Sequence, residues 1–577
     1  MHKTWISRQD DAAKNNKIVV DLISHHALHP VTARILAGRG IDSETAQSFL
    51  SPSYEEHIHS PFLFSRMQDA VDRIFLAIQN TERITVHGDY DADGVTGSAV
   101  LISVLRELKA QVDHYIPHRD TEGYGLNSNS VQILANRKTN LIITVDCGIA
   151  CVDEIAQATS LGMDTIVVDH HEFGDILPNA ILIHPRLPNE TYPFPFLAAV
   201  GVSFKLACAL LIQARKNGIS FSDGYEKWLL DLVSIATVTD MVPMIGENRV
   251  LETYGLKVLN KTRRPGLLAL IKSAGCVLGA LDTESIGFGI GPRINAAGRM
   301  DHAEIALKLL LSENENEAAI YCEQIERCNV QRQKTVADMM MSAQDQIKAH
   351  PDTKVVALYS ADWSPSLVGL VAGKIMERTG KPCIAIGKCE EKWIGSGRSF
   401  AEYDITSAMK RAGEGILLRS GGHVQACGFC FTDSDRMQEL LKKLYADAEK
   451  NILQKSPGPI LSIDVVVDAK EINWDLVNQC EKLQPYGEGH RKPIFAVYDL
   501  ILQDCLFMGK TKKHIRITFR SPDGGMLKCV GFSMAERFED LQKPARYDVA
   551  FELGVNEWNG RRDIQCKLVD IRASHRL

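Results

Sequence analysis

Three aspartates alternate in RITVHGDYDADGVTGS, residues 83–98: Asp89, Asp91 and Asp93, with Gly94 directly after them. Carboxylates this close repel one another, because each charge raises the cost of ionising the next, unless a multivalent cation neutralises them. Metal binding is the simplest chemistry such a cluster serves. A calcium loop is one alternative, since D-x-D-x-D-G matches its first six positions. Its twelfth position, however, is Val100 instead of Glu, and the segment follows a strand-like run, Ile84-Thr85-Val86, rather than a helix. A solvated acidic turn is the other alternative, and the His87 imidazole beside the alternating acids speaks against it.

More ligand-type residues stand at the ends of later apolar runs. LIITV ends at Asp146, TIVV at Asp169-His170-His171, and LLDLVSIATVTDMV carries Asp240 near its end. Any one such acid is as well explained as a helix N-cap. Together Asp91, Asp93, Asp146, Asp169, His170 and Asp240, with His87, exceed what one ion requires. Oxygen-rich ligation with a few imidazoles suits manganese or magnesium better than zinc–thiolate chemistry. Two ions sharing a carboxylate account for the surplus, and paired ions are the usual device for in-line displacement at phosphorus. The residues alone therefore point to a two-metal phosphoesterase.

Elements must bring these residues together. Between about Asp69 and Asn260 helices and strands alternate, the signature of an α/β unit with a parallel sheet. Its strands point the same way, and sites in open parallel sheets form outside the carboxyl ends of the strands. Residues 1–60 read as a helical preface, in which His25 and His26 are surface residues. Residues 299–350 contain no glycine or proline, and the stretch from Glu313 reads as one long helix of about 50 Å. A further α/β segment covers 351–453. Short strands separated by turns such as SPDGG and EWNGR cover 457–577, as expected for a small barrel.

With 577 residues the chain is too long for one core. Its 45% hydrophobic and 24% charged content is that of ordinary globular protein. No apolar run reaches the length of a transmembrane helix, and the first residues lack the apolar core of a signal peptide, so no membrane association is expected. Fourteen scattered cysteines suit a reducing cytoplasm. Cys427 and Cys430 have CxxC spacing but lie in a strand-like run without a second half-site, and read as core thiols rather than zinc ligands. A net charge of −7 argues against non-specific coating of nucleic acid, although the chain from Ser456 onward, with 18 Lys and Arg against 17 Asp and Glu, carries none of the acidic excess.

HGDYDADG, VDCG, VDHH and the TD of ATVTDMVP resemble, in order and spacing, the four motifs of the DHH phosphoesterase superfamily. GPRINAAGR (291–299) and SGGH (420–423) are similar to its branch with a DHHA1 domain, and the C-terminal region resembles the oligonucleotide-binding domain of that branch's single-strand-specific exonucleases. The resemblance implies a parallel-sheet DHH domain (61–298), a long helical connector (299–350), an α/β DHHA1 domain (351–453) and an all-β OB-type barrel (457–577). It implies a 5′-to-3′ exonuclease of single-stranded DNA that releases 5′-mononucleotides in recombination and repair, with a phosphodiesterase of short oligonucleotides or cyclic dinucleotides as the alternative. A non-catalytic replication scaffold is a third possibility, but such relatives lose metal ligands that are all present here.

Position by position, the resemblance assigns two manganese or magnesium ions to Asp91, Asp93, Asp146, His170 and Asp240, with Asp146 bridging. His87, four residues before Asp91 and six before Asp93, is similar to a ligand of the related manganese pyrophosphatases. His171 matches the residue that contacts the scissile phosphate; Asp89 and Asp169 take supporting positions. Arg119, Arg293 and Arg299 from the first domain, and Ser396, Arg398 and His423 from the second, are the candidates for gripping the substrate end. Lys512 and Lys513 in the basic loop GKTKKHIR, with Tyr486 and Trp558 for base stacking, would track the strand. One departure stands out: the family's tryptophan-histidine pair and following glycine read here as Trp363-Ser364 and Ser366, which bears on preference for a terminal phosphate. Implied partners are single-stranded DNA, a single-strand-binding protein and a RecQ-type helicase, acting on a cytoplasmic monomer.

Overall fold

The apolar runs at Arg83–Gly88, Leu141–Val145 and Asp164–Val168 become neighbouring strands of one five-stranded sheet. Its order is Gln111–Tyr115, Arg83–Gly88, Leu141–Val145, Asp164–Val168, Ile181–Ile183, parallel throughout. The chain leaves the first strand toward one edge and then returns past it to build the rest. The topological switch point therefore lies between Arg83–Gly88 and Leu141–Val145, the place beyond the strand ends where open parallel sheets form their sites. This computed structural model describes residues 3–8, 16–349, 353–400, 402–452, 460–538, 541, 545–558 and 560–574.

Alternation along the strands fills both faces. Ile84, Val86, Ile143, Val145 and Ile166 pack under the helices Met67–Gln79, Ala92–Glu107 and Ala199–Lys216. Ile142 and Val167 face Val131, Leu134 and Ile155 of Ser128–Asn136 and Val152–Ser160. Full burial of each such side chain stabilises by about 1.5–3 kcal/mol, which is why the strands read as continuous apolar runs.

The run ending at Asp240 departs from expectation. Leu230–Thr239 is an α-helix with Asp240 as its C-cap residue, not a strand end. Eight of its residues are buried all round, so it carries no amphipathic period to distinguish it from a buried strand. It packs on Gly246–Leu259, where Glu252 is wholly buried, accepts a 2.9 Å bond from Ser234 Oγ, and leaves Oε2 without a partner among the described residues. Burial pushes this carboxyl up to about 8 from its ordinary 4.5, with the Ser234 bond acting weakly against that. The folded state thus binds the proton more tightly than the unfolded one. Stability from this group is complete below pH 4.5 and is lost as pH rises toward 8, on the order of 5 kcal/mol in all. Glu252→Gln should flatten the pH dependence of thermal unfolding and melt above the parent at pH 8, with little difference at pH 4.5.

The helix Gly291–Met300 is followed by a separate short helix, Glu304–Leu310, and only then by the 35-residue helix Glu315–Ala349. The long helix expected from Glu313 is thus Glu315–Ala349. Beyond it, the mixed sheet Arg419–His423, Ala426–Phe431, Lys392–Arg398, Cys383–Cys389, Val356–Tyr359 packs with the helices Pro365–Thr379, Ile405–Ala412 and Met437–Asn451. Cys427 belongs to the core of this sheet, and all fourteen cysteines are free thiols.

Residues 53–456 with 487–489 form one compact unit; 1–52, 457–486 and 490–577 form the other. The N-terminal segment, read from sequence as a separate preface, is thus part of the second unit. Thr4–Ser7 pairs in parallel with Ile460–Ile463, and Leu22, Val31, Ile35 and Leu36 share a core with Phe495, Phe519 and Phe551. In this unit Ile494–Met508, His514–Arg520, Met526–Gly531, Arg561–Ala573 and Arg546–Trp558 are joined in that order, and the last pairs back with the first to close a barrel. Among the described residues no helix is long and apolar enough to cross a membrane.

Candidate metal centre

The crevice at the switch point is lined by acids whose positions follow from local structure. Asp91 is the N-cap of Ala92–Glu107, its Oδ1 accepting from Asp93 N at 2.9 Å. Capping and ligation are thus compatible in one carboxylate. A Cβ on Gly94 would lie 2.5 Å from Asp89 N, so only glycine lets the helix start this close to the strand end. Asn295, in GPRINAAGR, fixes the same turn by accepting from Ala92 N at 2.8 Å. Asp93 accepts from Ala199 N and Val200 N, both at 2.7 Å, at the N-terminus of Ala199–Lys216. Asp146 sits at φ 63, in the left-handed region where Asp and Asn are the usual non-glycine residues.

Three groups of ligand atoms converge within 4.8 Å: Asp146 with His170 and His171; Asp93 with His170 and Asp240; Asp89 with Asp91 and Asp146. Shared Asp146 and shared His170 make these adjoining positions of one centre. His170 Nε2 lies 3.3 Å from Asp146 Oδ1, 3.6 Å from Asp240 Oδ2 and 3.7 Å from Asp93 Oδ2. Asp89, expected only in support, stands inside the cluster.

The electrostatics demand a cation. Burial, then the neighbouring Asp93, Asp91, Asp240 and Asp89, push Asp146 well above the ordinary carboxylate range. Burial, then Asp91, push Asp93 up to about 7, and burial, then Asp93 and Asp91, push Asp240 well above its usual value. Asp240 also closes a helix C-terminus, where the macrodipole disfavours negative charge. His170 is pushed down to about 3 by burial and by His171, so its imidazole is neutral and free to ligate. Asp89 Oδ1, Asp146 Oδ1 and His170 Nε2 are buried without hydrogen-bond partners among the described residues. Orphaned carboxylate oxygens and a neutral imidazole, with no thiolate in the groups, fit two hard divalent ions.

His171 and Asp169 do something different. Asp169 Oδ1 accepts from His170 N (2.7 Å), His171 N (3.1 Å) and His171 Nδ1 (2.9 Å), and Oδ2 from Ile149 N (3.0 Å). Burial opposes ionisation, but the His171 contacts hold Asp169 at about 2. Burial works against the His171 charge too, and the Asp169 bond overrides it, raising its pKa. Tyr124, which sequence reading passed over inside HRDTEGYGL, donates to Asp146 O at 2.8 Å and lies 3.0 Å from His171 Nδ1. The signal available for it was its place between Gly123 and Gly125, both at positive φ.

His87 is not brought into any of the three groups. As a residue within the strand, register-paired with Tyr115, it stacks on that ring at 5.4 Å with Cys147 Sγ 3.8 Å from Nδ1, and burial pushes it down to about 4. Its side chain belongs to the sheet face, whereas the ligands lie past the strand end.

Of the substrate candidates, Arg293 is spent on structure: its guanidinium grips Glu326 (2.7 and 3.3 Å) and the Gly289 and Ser273 carbonyls. Arg119 lies 4.6 Å over the Tyr90 ring, between Asp89 and Asp91 in sequence. Arg299 donates to Ser366 O at 2.7 Å, and burial with the nearby Arg119 pushes it down to about 9. Arg398 donates to Ser396 Oγ at 2.7 Å. His423 is exposed at the end of its hairpin strand.

In the barrel, Lys512 and Lys513 lie on the turn joining Ile494–Met508 to His514–Arg520. Tyr486 is used in packing: it is half-buried against the core, donates to Cys480 O at 2.7 Å and stacks on His490. The side chain of Trp558 lies outside the described residues. The exposed aromatics near the basic turn are instead Phe507 and Phe532, the latter edge-on to His514 at 5.7 Å.

Profiles of three domains match in order: the DHH family N-terminal domain at residues 83–237, the DHHA1 domain at 352–450 and the RecJ OB domain at 463–570. The single-stranded-DNA-specific exonuclease RecJ of Bacillus subtilis is 37% identical over 575 residues, which cover 99% of this chain and 71% of that protein. This chain belongs to the RecJ family. The RecJ of Escherichia coli is 31% identical, with 93% of this chain and 95% of that protein covered. The crystal structure of RecJ with Mn2+ from Thermus thermophilus superposes with a TM-score of 0.83 at 27% identity, covering 97% of this chain and 78% of that one. A further crystal structure, exonuclease RecJ bound to manganese, matches with a TM-score of 0.58 at 31% identity, over 69% of this chain and 98% of the other.

Proposed function

We propose that the chain is a metal-dependent exonuclease that shortens single-stranded DNA from the 5′ end and releases 5′-mononucleotides, in recombination and repair. The observation that carries this reading is the convergence of Asp91, Asp93, Asp146, His170 and Asp240 at the switch point of a RecJ-family sheet. These residues would hold two ions, manganese or magnesium, and Asp146 belongs to two of the three ligand groups. Such a pair, when bound, supplies activation of the attacking water and neutralises charge on the scissile phosphate.

The protein's own groups complete the arrangement. Asp169 and Tyr124 fix His171 through Nδ1, leaving Nε2 for the phosphate, and the raised pKa of His171 keeps positive charge there as negative charge develops on phosphorus. Arg119, Arg299 and Arg398 hold the terminal phosphate of the strand, whose planar guanidinium partners match phosphate oxygens. Lys512 and Lys513, with Phe507 and Phe532, track the trailing strand by charge and stacking. A single-strand-binding protein and a RecQ-type helicase are the partners this role calls for, with the enzyme acting as a cytoplasmic monomer.

The test uses one strand labelled at the 5′ end and one at the 3′ end, incubated with manganese. Early release of the 5′ label as a mononucleotide, stopped by chelation, is the expected result. Early release of the 3′ label, or of oligonucleotides from a circular strand, would contradict it.

A further inference from the structure

The structure gives the side chain of Ser366 a defined partner. Its Oγ donates to Asp120 Oδ1 at 2.6 Å, while its carbonyl accepts from Arg299 Nη1 at 2.7 Å. Ser366 is 2% exposed at the start of Pro365–Thr379, in the second α/β lobe; Asp120 and Arg299 belong to the lobe that carries the acids.

Each partner leads to a cation. Asp120 follows Arg119 in a turn held by His118 N to Glu122 Oε2 (2.7 Å) and Glu122 N to His118 O (2.8 Å). That turn sets Arg119 over Tyr90 and Asp120 against Ser366. Within the same helix, Gly369 runs so close to Arg398 that a Cβ there would meet Nη2 at 3.0 Å and Ser396 Oγ at 3.2 Å. Ser366 and Gly369, three residues apart and so on one face of Pro365–Thr379, therefore touch Arg299 and the Arg119 turn, and Arg398, respectively. Burial, and after it the charge of Arg119, lowers the pKa of both Arg299 and Arg398.

We propose that Ser366 is a positioning residue whose bonds to Asp120 and Arg299 set the spacing of Arg119, Arg299 and Arg398 and so confer preference for a strand that ends in a phosphate. This rests on the reading above that these arginines hold the terminal phosphate. A hydrogen bond to a charged acceptor fixes the turn far better than packing of an exposed loop alone, and its loss lets Arg119 drift from the distance at which three guanidinium groups meet one anion.

The test compares steady-state kinetics on 5′-phosphorylated and 5′-hydroxyl strands of one sequence. Ser366→Ala should raise KM for the phosphorylated strand about tenfold, with kcat within about twofold and the 5′-hydroxyl strand unaffected. Asp120→Ala, a change at an exposed residue, should do the same with its melting temperature near the parent's, and Asp120→Asn, which keeps the acceptor oxygen, should retain the parent's preference. Unchanged preference in Ser366→Ala and Asp120→Ala, alongside lost preference in Arg398→Ala, would overturn the role of Ser366 and leave the arginine reading intact. Unchanged preference in Arg398→Ala as well would overturn both.

Discussion

Asp146→Asn should lower cleavage of single-stranded DNA at least about 1000-fold, equivalent to about 4 kcal/mol of transition-state stabilisation, while DNA affinity changes little. Asn is the informative replacement because it keeps the side-chain shape and tolerates the left-handed backbone at φ 63, where Ala adds strain. What it removes is charge. Asp146 belongs to two of the three ligand groups, so a neutral amide there weakens both ion positions at once. Asp91→Asn should be milder, because Asp91 belongs to one ligand group only and the amide Oδ1 can still accept from Asp93 N as the helix cap. Single-turnover rates with saturating manganese, read beside fluorescence anisotropy of a labelled strand, separate chemistry from binding. An Asp146→Asn protein that cleaves within tenfold of the parent would remove Asp146 from the reaction.

The second large effect is on stability. Glu247→Ala should destabilise the larger unit by about 3–5 kcal/mol, because it strands a buried ammonium. The Lys205 side chain is 1% exposed, and among the described residues its Nζ bonds only Glu247 and, at 2.8 Å, the His59 carbonyl. Glu247 also receives His59 N at 3.0 Å and the Tyr192 hydroxyl, so one carboxylate gathers three donors. The network matters to the site because Lys205 lies on Ala199–Lys216, whose first amides grip Asp93. The pair Lys205→Met with Glu247→Leu should recover most of the loss, since apolar groups of similar volume leave no charge unpaired. Urea unfolding followed by intrinsic fluorescence measures both; equal midpoints for Glu247→Ala and the parent would contradict the network's weight.

The sheet and most of the acidic centre were legible because each strand is buried on both faces and each acid sits at a strand's carboxyl end, which leaves a local record: an apolar run, then Asp. Asp240 kept that record while its run folded as a wholly buried helix, which has no period to betray it. His87 also looked like a ligand by spacing, yet one residue of strand register turns its ring onto the sheet face beside Tyr115. Arg293 was unreadable for another reason. Its partner Glu326 is 33 positions away on the long helix, and no local pattern pairs them. The same distance effect hid the N-terminal strand, whose partner at Ile460–Ile463 lies some 450 residues on. For this reason a test of the barrel's contribution must remove 1–52 together with 457–577, since removing the C-terminal part alone exposes the apolar faces of the N-terminal helices.

The most direct measurement counts bound metal. Manganese titrated into the chelated protein and followed by paramagnetic resonance of the free ion should give two sites per chain, with cleavage appearing only as the second fills. Asp146→Asn should lose tight binding at both, and Asp240→Asn at one. A single site, or cleavage that survives complete chelation, would contradict the two-ion account.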